Sequence, residues 1–175
     1  MRVFLLQTIF LLLSFVIFAP CQDNKPISVF PEGFDFRGNW ICAGAFGNGK
    51  VHRSTFAGTV VLDGKWLELS ETDVEPATGY VAKYLIGYDV QQKRLIEFDA
   101  NNFGAATYSS NDGWFNNVLT MTSPITTQDS SYAANRFLYT VEDANTFTVD
   151  WQISKTANLK WLPSDHLVCH REAAK

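Results

Sequence analysis

Three histidines and a run of alternating carboxylates are the side chains of this sequence best suited to acid–base chemistry or metal binding. Glu71, Asp73 and Glu75 alternate along the end of a predicted strand, and carboxylates so placed can act as a general acid and base. A charged outer rim of a sheet gives the same spacing, and we adopt that interpretation. Motifs of serine nucleophiles, phosphate loops and calcium loops are missing from the sequence. We therefore predict no catalytic residue, no metal site and no enzymatic activity.

An arginine and several aromatic residues are the better candidates for binding. Arg136 opens the segment RFLYTV, and an arginine at a barrel mouth can pair with a ligand carboxylate, although a surface salt bridge is the commoner role. Aromatic residues make up 14% of the chain, more than the walls of a small barrel need, so we expect a minority to line a cavity. The predicted ligand-binding residues are Arg136, Tyr139, Trp151, Trp114 and Phe103.

Short alternating segments separated by turn signals indicate the elements that position these residues. Asp63-Gly64 and Asn48-Gly49 are strong two-residue hairpin signals, and no window shows capped helical periodicity. Ten strands are predicted: 38–46, 51–62, 65–72, 79–88, 94–101, 105–109, 114–122, 135–141, 146–155 and 167–171. This spacing is typical of an all-β sandwich or barrel.

Two cysteines near the ends of this strand series predict a disulfide. Cys42 and Cys169 are the cysteines that remain once the predicted N-terminal signal peptide is removed. An exported chain meets oxidising conditions, which favour a disulfide between them. Two free thiols or a metal-binding pair are the alternatives. If the two residues face each other on antiparallel strands, paired residue numbers add to a constant. Trp40 then faces Arg171, and the guanidinium can cover the indole ring in a cation–π contact.

Gly38-Asn39-Trp40 on the first strand and Arg171 on the last resemble the calycin superfamily of lipocalins and fatty-acid-binding proteins. The segments GNWICAGAFGNGK, LDGKWLEL and HLVCHR also resemble a family of exported bacterial domains of unknown function. The resemblance implies a single antiparallel up-and-down β-barrel of calycin type, with about 8–10 strands. The resemblance also implies that the protein is exported, but it does not assign a reaction to it.

A histidine near the C-terminus is also similar to the one that nitrobindins, a haem-binding barrel family, place there. His166 is the corresponding residue to consider. If Cys169 shares the inner face with Arg171, then His166 and His170 point outward. We therefore expect no cofactor, haem included.

The N-terminus has the pattern of a secretory signal peptide. Arg2 precedes an apolar run from Val3 to Ala19, and small residues follow, so we predict cleavage after Cys21. An uncleaved membrane anchor and a lipidated Cys21 are the alternatives. The predicted organisation is a signal peptide (1–21), an irregular lead-in (22–37) and a barrel domain (38–175), located in the periplasm or outside the cell.

Charge and composition limit the partners. The net charge is −4 with no basic stripe, which argues against nucleic acid, and cleavage would leave no membrane span. We expect non-enzymatic binding of a small apolar or amphipathic ligand inside a secreted barrel. A protein-binding or inhibitor module with a filled barrel is the alternative, its partner unknown, and a lipid-isomerising enzyme is the third possibility. An internal cavity would favour the ligand-binding hypothesis, and a filled interior would favour the protein-binding one.

Overall fold

The computed structural model describes residues 27–126 and 131–173. Within these residues ten antiparallel strands close into an up-and-down β-barrel, which confirms the predicted fold class, and an eleventh short strand pairs outside it. No helix occurs in the described residues. The strands are β1 (Gly38–Phe46), β2 (Val51–Val61), β3 (Trp66–Glu75), β4 (Val81–Asp89), β5 (Arg94–Asn101), β6 (Gly104–Ser110), β7 (Trp114–Phe115), β8 (Val118–Thr122), β9 (Ala134–Asp143), β10 (Thr146–Ser154) and β11 (Trp161–Arg171).

The first and last strands of the barrel pair along their length. Cys42 lies opposite Cys169, and Trp40 lies opposite Arg171, which is the register that the constant sum predicts. The two cysteines form a disulfide, as predicted. At the other seam, β6 and β8 share one bridging pair, Ser109 with Thr122. The ring is therefore held strongly where the first and last strands meet and weakly between β6 and β8.

The lead-in segment closes one end of the barrel, which we call the plugged end. Phe34 and Phe36 enter the core beside Trp40 and Phe147, with ring centroids of neighbouring pairs 4.7–6.3 Å apart. The Trp40 indole N–H donates to the Phe36 carbonyl at 2.9 Å. Gly58 permits this approach, because a Cβ there would lie 2.0 Å from the Phe36 carbonyl oxygen.

Arg171 fastens the lead-in at the plugged end. Its guanidinium lies 4.1 Å from the centroid of the Trp40 ring. The same group donates to the backbone carbonyls of Asp35 at 2.6 Å, Arg37 at 2.7 Å and Ala144 at 3.3 Å. One side chain thus joins the last strand, the lead-in and the β9–β10 turn at the plugged end.

The largest differences from the predicted strand boundaries occur in two places. Asn116 and Asn117 both adopt positive φ, as a type I′ turn requires, and this turn divides the predicted strand 114–122 into β7 and β8. The last strand begins at Trp161, six residues earlier than predicted. Pro163 argues against a strand in the sequence, yet it lies beside a register shift between β10 and β11, where proline is tolerated.

The disulfide predicts a measurable loss of stability on its removal. Cys42→Ser should lower the free energy of unfolding of the oxidised protein by about 2–4 kcal/mol, because the bridge restricts the unfolded chain across 127 residues. Urea denaturation measures the change. Reduced wild-type protein should show a similar loss, and an unchanged free energy in the variant would contradict the predicted contribution.

Removing the Arg171 guanidinium should release the lead-in. We expect Arg171→Ala to lower the free energy of unfolding by about 2–3 kcal/mol, since charge-assisted hydrogen bonds and a cation–π contact disappear together. Limited proteolysis should then cut the lead-in sooner. Arg53→Ala is the matched control: Arg53 forms an exposed pair with Glu75 at 3.2 Å, so its removal should cost less than about 1 kcal/mol. Equal losses in both variants would reject the fastening role.

Candidate functional site

A cavity of about 550 Å³ occupies the half of the barrel opposite the plugged end, which we call the open end. Hydrophobic and aromatic side chains form much of its wall, among them Phe56, Phe137 and Trp151. Phe103, which is 74% exposed, stacks on Tyr80 at the mouth with ring centroids 6.0 Å apart. The volume lies in the range of small-molecule sites.

A buried histidine between two aspartates forms one wall of the cavity. The His52 Nδ1 lies 2.8 Å from Asp165 Oδ2, and its Nε2 lies 3.0 Å from Asp73 Oδ1. Burial opposes the charged form of His52, but the hydrogen bonds and charges of Asp165 and Asp73 outweigh it and raise the pKa to about 9. The imidazole is therefore a cation at neutral pH. The Phe46 ring stacks on it, with centroids 4.3 Å apart.

A chain of hydroxyl groups connects the cavity mouth to a buried glutamate. The Tyr84 hydroxyl donates to Glu71 Oε2 at 2.6 Å, and the Tyr80 and Tyr84 hydroxyls lie 3.1 Å apart. Burial raises the pKa of Glu71 to about 7, although the Tyr84 hydrogen bond opposes the shift. Near neutral pH this carboxyl can therefore exchange a proton.

Two further carboxyls point inward from β5. Asp99 lines the cavity, and Asn101 donates to its Oδ1 at 3.0 Å; burial raises the pKa of Asp99. Glu97 lies deeper and is fully buried, with Tyr139 donating to its Oε2 at 3.2 Å. Burial raises the pKa of Glu97 to about 8. The barrel interior thus contains several buried carboxyl groups.

The structure brings two of the five predicted ligand-binding residues to the cavity. Phe103 and Trp151 line it. Tyr139 is buried beside Glu97 below the cavity. Trp114 lies near the plugged end, where its indole N–H donates to the Val29 carbonyl at 3.0 Å and its ring neighbours that of Phe36. These aromatic residues belong to two separate halves of the barrel.

Arg136 lies on the outer side of the barrel wall. Its guanidinium is 4.4 Å from the Trp161 ring centroid, and its Nε donates to Gln152 at 2.8 Å. His166 also points outward, with Nδ1 2.8 Å from Asp150 Oδ1 and half of its side chain exposed. Neither residue is among those that line the cavity.

The carboxylate run of β3 is placed differently from the outer rim that the sequence suggested. Glu71 is 6% exposed and Asp73 has a side chain that is 6% exposed, so both point into the barrel, while Glu75 stays outside. Strand alternation carried this information, because Leu67 and Leu69 share their face with Glu71. The outer-rim interpretation was wrong for two of its three residues.

Comparison of the sequence with models of protein families gave no match, and comparison with curated proteins gave none either. Nothing in the described part of the chain is a helix with the length and apolar character needed to cross a bilayer.

The His52 cluster also has the composition of a metal site. His52, Glu71 and Asp73 each offer one ligand atom, and these atoms lie within 4.8 Å of one another. Such a nitrogen and carboxylate set suits several divalent metals. Both ring nitrogens, however, already bond to carboxylates, and Thr78 donates to the second oxygen of Asp73 at 2.7 Å. A proton on the imidazole therefore lets His52 donate to both aspartates without a metal ion.

A second depression, which we call the outer groove, follows the outside of the β6–β8 seam. Its volume is about 1150 Å³, and Phe98, Phe115 and Thr122 are among the residues that border it. It contains neither the buried carboxyls nor the histidine described above. The cavity at the open end is consequently the better candidate for specific binding.

The buried acids and His52 predict a dependence of stability on pH. The pKa rises on folding from 6.5 to about 9 for His52, from 4.5 to about 7 for Glu71 and from 4.5 to about 8 for Glu97. Between its unfolded and its folded pKa, each group therefore keeps a proton in the folded protein that it has lost in the unfolded chain. Stability from these groups is complete below pH 4.5 and falls as the pH rises to 9, which urea denaturation at each pH measures.

Glu97→Gln isolates one part of this dependence. At pH 9 the variant should be more stable than the wild type by on the order of 4 kcal/mol, because glutamine spares the cost of a buried charge, and near pH 5 the difference should fall below about 1 kcal/mol. Glu142→Gln, an exposed substitution of the same kind, is the control and should change neither value. Parallel pH profiles of Glu97→Gln and the wild type would contradict the prediction.

Proposed function

We propose that this protein binds a small amphipathic molecule in the cavity at the open end, without transforming it. The observation that carries the proposal is the division of the interior, which is packed solid at one end and holds about 550 Å³ at the other. A barrel that served only as a rigid support would gain stability by filling this space.

The cavity surface suits a molecule with both apolar and polar parts. Leu167, Val149 and Phe137 provide apolar wall, and they lie across the interior from the polar groups of β3 and β5. Specific sites for small molecules combine such an apolar lining with a few placed polar groups. This combination supports binding more than it supports the alternative of a filled protein-binding module.

Export is part of the same proposal. The predicted signal peptide (1–21) and its cleavage after Cys21 lie outside the described residues. The Cys42–Cys169 disulfide is compatible with an oxidising compartment. We propose that the mature protein acts in the periplasm or outside the cell, where the open end is accessible to small molecules from the medium.

A neutral apolar fluorophore tests the proposal. N-phenyl-1-naphthylamine should bind the wild type with increased fluorescence. Ala106→Trp should weaken binding at least about tenfold, because the indole would occupy the cavity that Ala106 borders. Val149→Phe blocks the same space from the opposite wall and serves if the first variant folds poorly.

Two controls locate the bound probe. Ala57→Trp places an equal ring on the exposed outer face of β2, and Phe115→Ala alters the outer groove. Both should bind the probe like the wild type. Binding that survives both cavity-filling variants, or that disappears in Phe115→Ala, would reject the cavity as the binding site.

A further inference from the structure

The charged groups of the cavity are almost all of one sign. Four carboxyls line it, from Glu71, Asp73, Asp99 and Asp165, and the one basic residue among the lining side chains is His52. No lysine or arginine contributes to the described wall. A ligand with a carboxylate or phosphate would therefore meet negative groups without a matching cation.

His52 compensates only part of this charge. Its two ring nitrogens are committed to Asp73 and Asp165, at 3.0 and 2.8 Å. Glu71 and Asp99 remain; among the described residues neither forms a salt bridge, although His52 lies within 4.8 Å of the Glu71 carboxyl. Glu71 receives a hydrogen bond from Tyr84, and Asp99 receives one from Asn101. Two carboxyls are thus held in place by neutral donors at the cavity wall.

The interior also has acceptors that lack a donor. Glu97 is fully buried on the inward face of β5, two residues from Asp99, and within the described chain no group donates to its Oε1. Asp165 lines the cavity, and its buried Oδ1 likewise receives no hydrogen bond from the described residues. An unsatisfied buried acceptor is costly, so the Asp165 Oδ1 at the cavity wall favours a ligand with an N–H donor.

Aromatic rings surround the carboxyls near the mouth. Tyr80 stacks with Phe103 there, and its hydroxyl leads through Tyr84 to Glu71. Trp151 and Tyr132 meet edge to face on the opposite wall, with centroids 6.0 Å apart. Aromatic faces next to carboxylates attract organic ammonium groups through both the ring quadrupole and direct ion pairing.

From these contacts we infer that the cavity selects a protonated organic amine, whose ammonium group is held by Asp99 and Glu71 while its apolar part packs against Trp151 and Phe137. This inference rests on the proposed function and specifies the chemical class of its ligand. Burial raises the pKa of both carboxyls, and a bound cation would offset that cost. Glu71 is faced by His52 and Ser54 on β2, by Asp73 on its own strand and by Tyr84 on β4, so the ammonium would supplement one existing cation.

Matched series of ligands test the charge preference directly. Tryptamine, tryptophol and indole-3-acetate share one ring system and carry a positive, a neutral and a negative end; phenethylamine, phenethyl alcohol and phenylacetate form a smaller series. Isothermal titration calorimetry at pH 7.5, with the full mature chain, measures each affinity. The amine should bind at least about tenfold more tightly than the alcohol, and the acid should bind most weakly.

Two substitutions locate the ammonium. Asp99→Asn and Glu71→Gln should each reduce the affinity for the amine about tenfold or more and leave that for the alcohol within about twofold. Asp63→Asn and Glu142→Gln are the matched controls on exposed turn and strand-end positions, and they should change neither affinity. Circular dichroism and thermal unfolding check that each variant is folded.

The outcomes separate this inference from the proposed function. Equal affinities within a series, or a preference for the acid, would overturn the cationic ligand while cavity binding stands. Binding of N-phenyl-1-naphthylamine with no binding by either series would overturn it as well. An amine preference that persists in the Asp99→Asn, Glu71→Gln double variant would remove these carboxyls from the site. Failure of the neutral fluorophore to bind the wild type would reject the proposed function itself.

Discussion

The pairing of the first strand with the last is the constraint on which the rest of the structure depends. The Cys42–Cys169 bridge fixes the register of β1 against β11, and because side chains alternate across a strand, that register decides which residues enter the barrel. Arg171 then covers Trp40 and binds the carbonyls of the lead-in at the same junction. One seam therefore closes the ring, orients its inner face and holds the segment that fills the plugged end.

The two halves of the barrel contain different kinds of side chain and contribute differently to stability. The plugged end is an aromatic core, in which Trp40 and Phe147 are fully buried and meet edge to face with centroids 4.8 Å apart. The open end accepts buried acids and an imidazolium, which a small domain can include only if apolar burial elsewhere offsets their desolvation. The hydrogen bonds of His52 to Asp73 and Asp165 lower that cost, and Tyr84 does the same for Glu71. Stability concentrated at one end is what permits polar chemistry at the other.

Much of the fold was predictable from the sequence, and the candidate site was far less so. Hairpin signals, strand alternation and the positions of two cysteines suffice for the barrel and for the pairing of its end strands. The inward face of β5 could not be predicted in this way, because Leu95, Glu97 and Asp99 point inward whereas Ile96 and Phe98 point outward. Hydrophobicity alone favours the opposite orientation. His52 gave no signal either, since its two aspartate partners lie 21 and 113 residues away along the chain. The positions of such groups follow from closure of the ring, which local sequence patterns do not encode.

The unequal seams of the ring have a mechanical consequence. Strands β1 and β11 are joined by a covalent bridge and seven residue pairs, whereas β6 and β8 meet through the single pair of Ser109 and Thr122. Tyr108 of β6 borders the internal cavity, and its neighbour Ser109 borders the groove outside. Any widening of the lumen would therefore meet the least resistance between β6 and β8, while the disulfide holds β1 and β11 together.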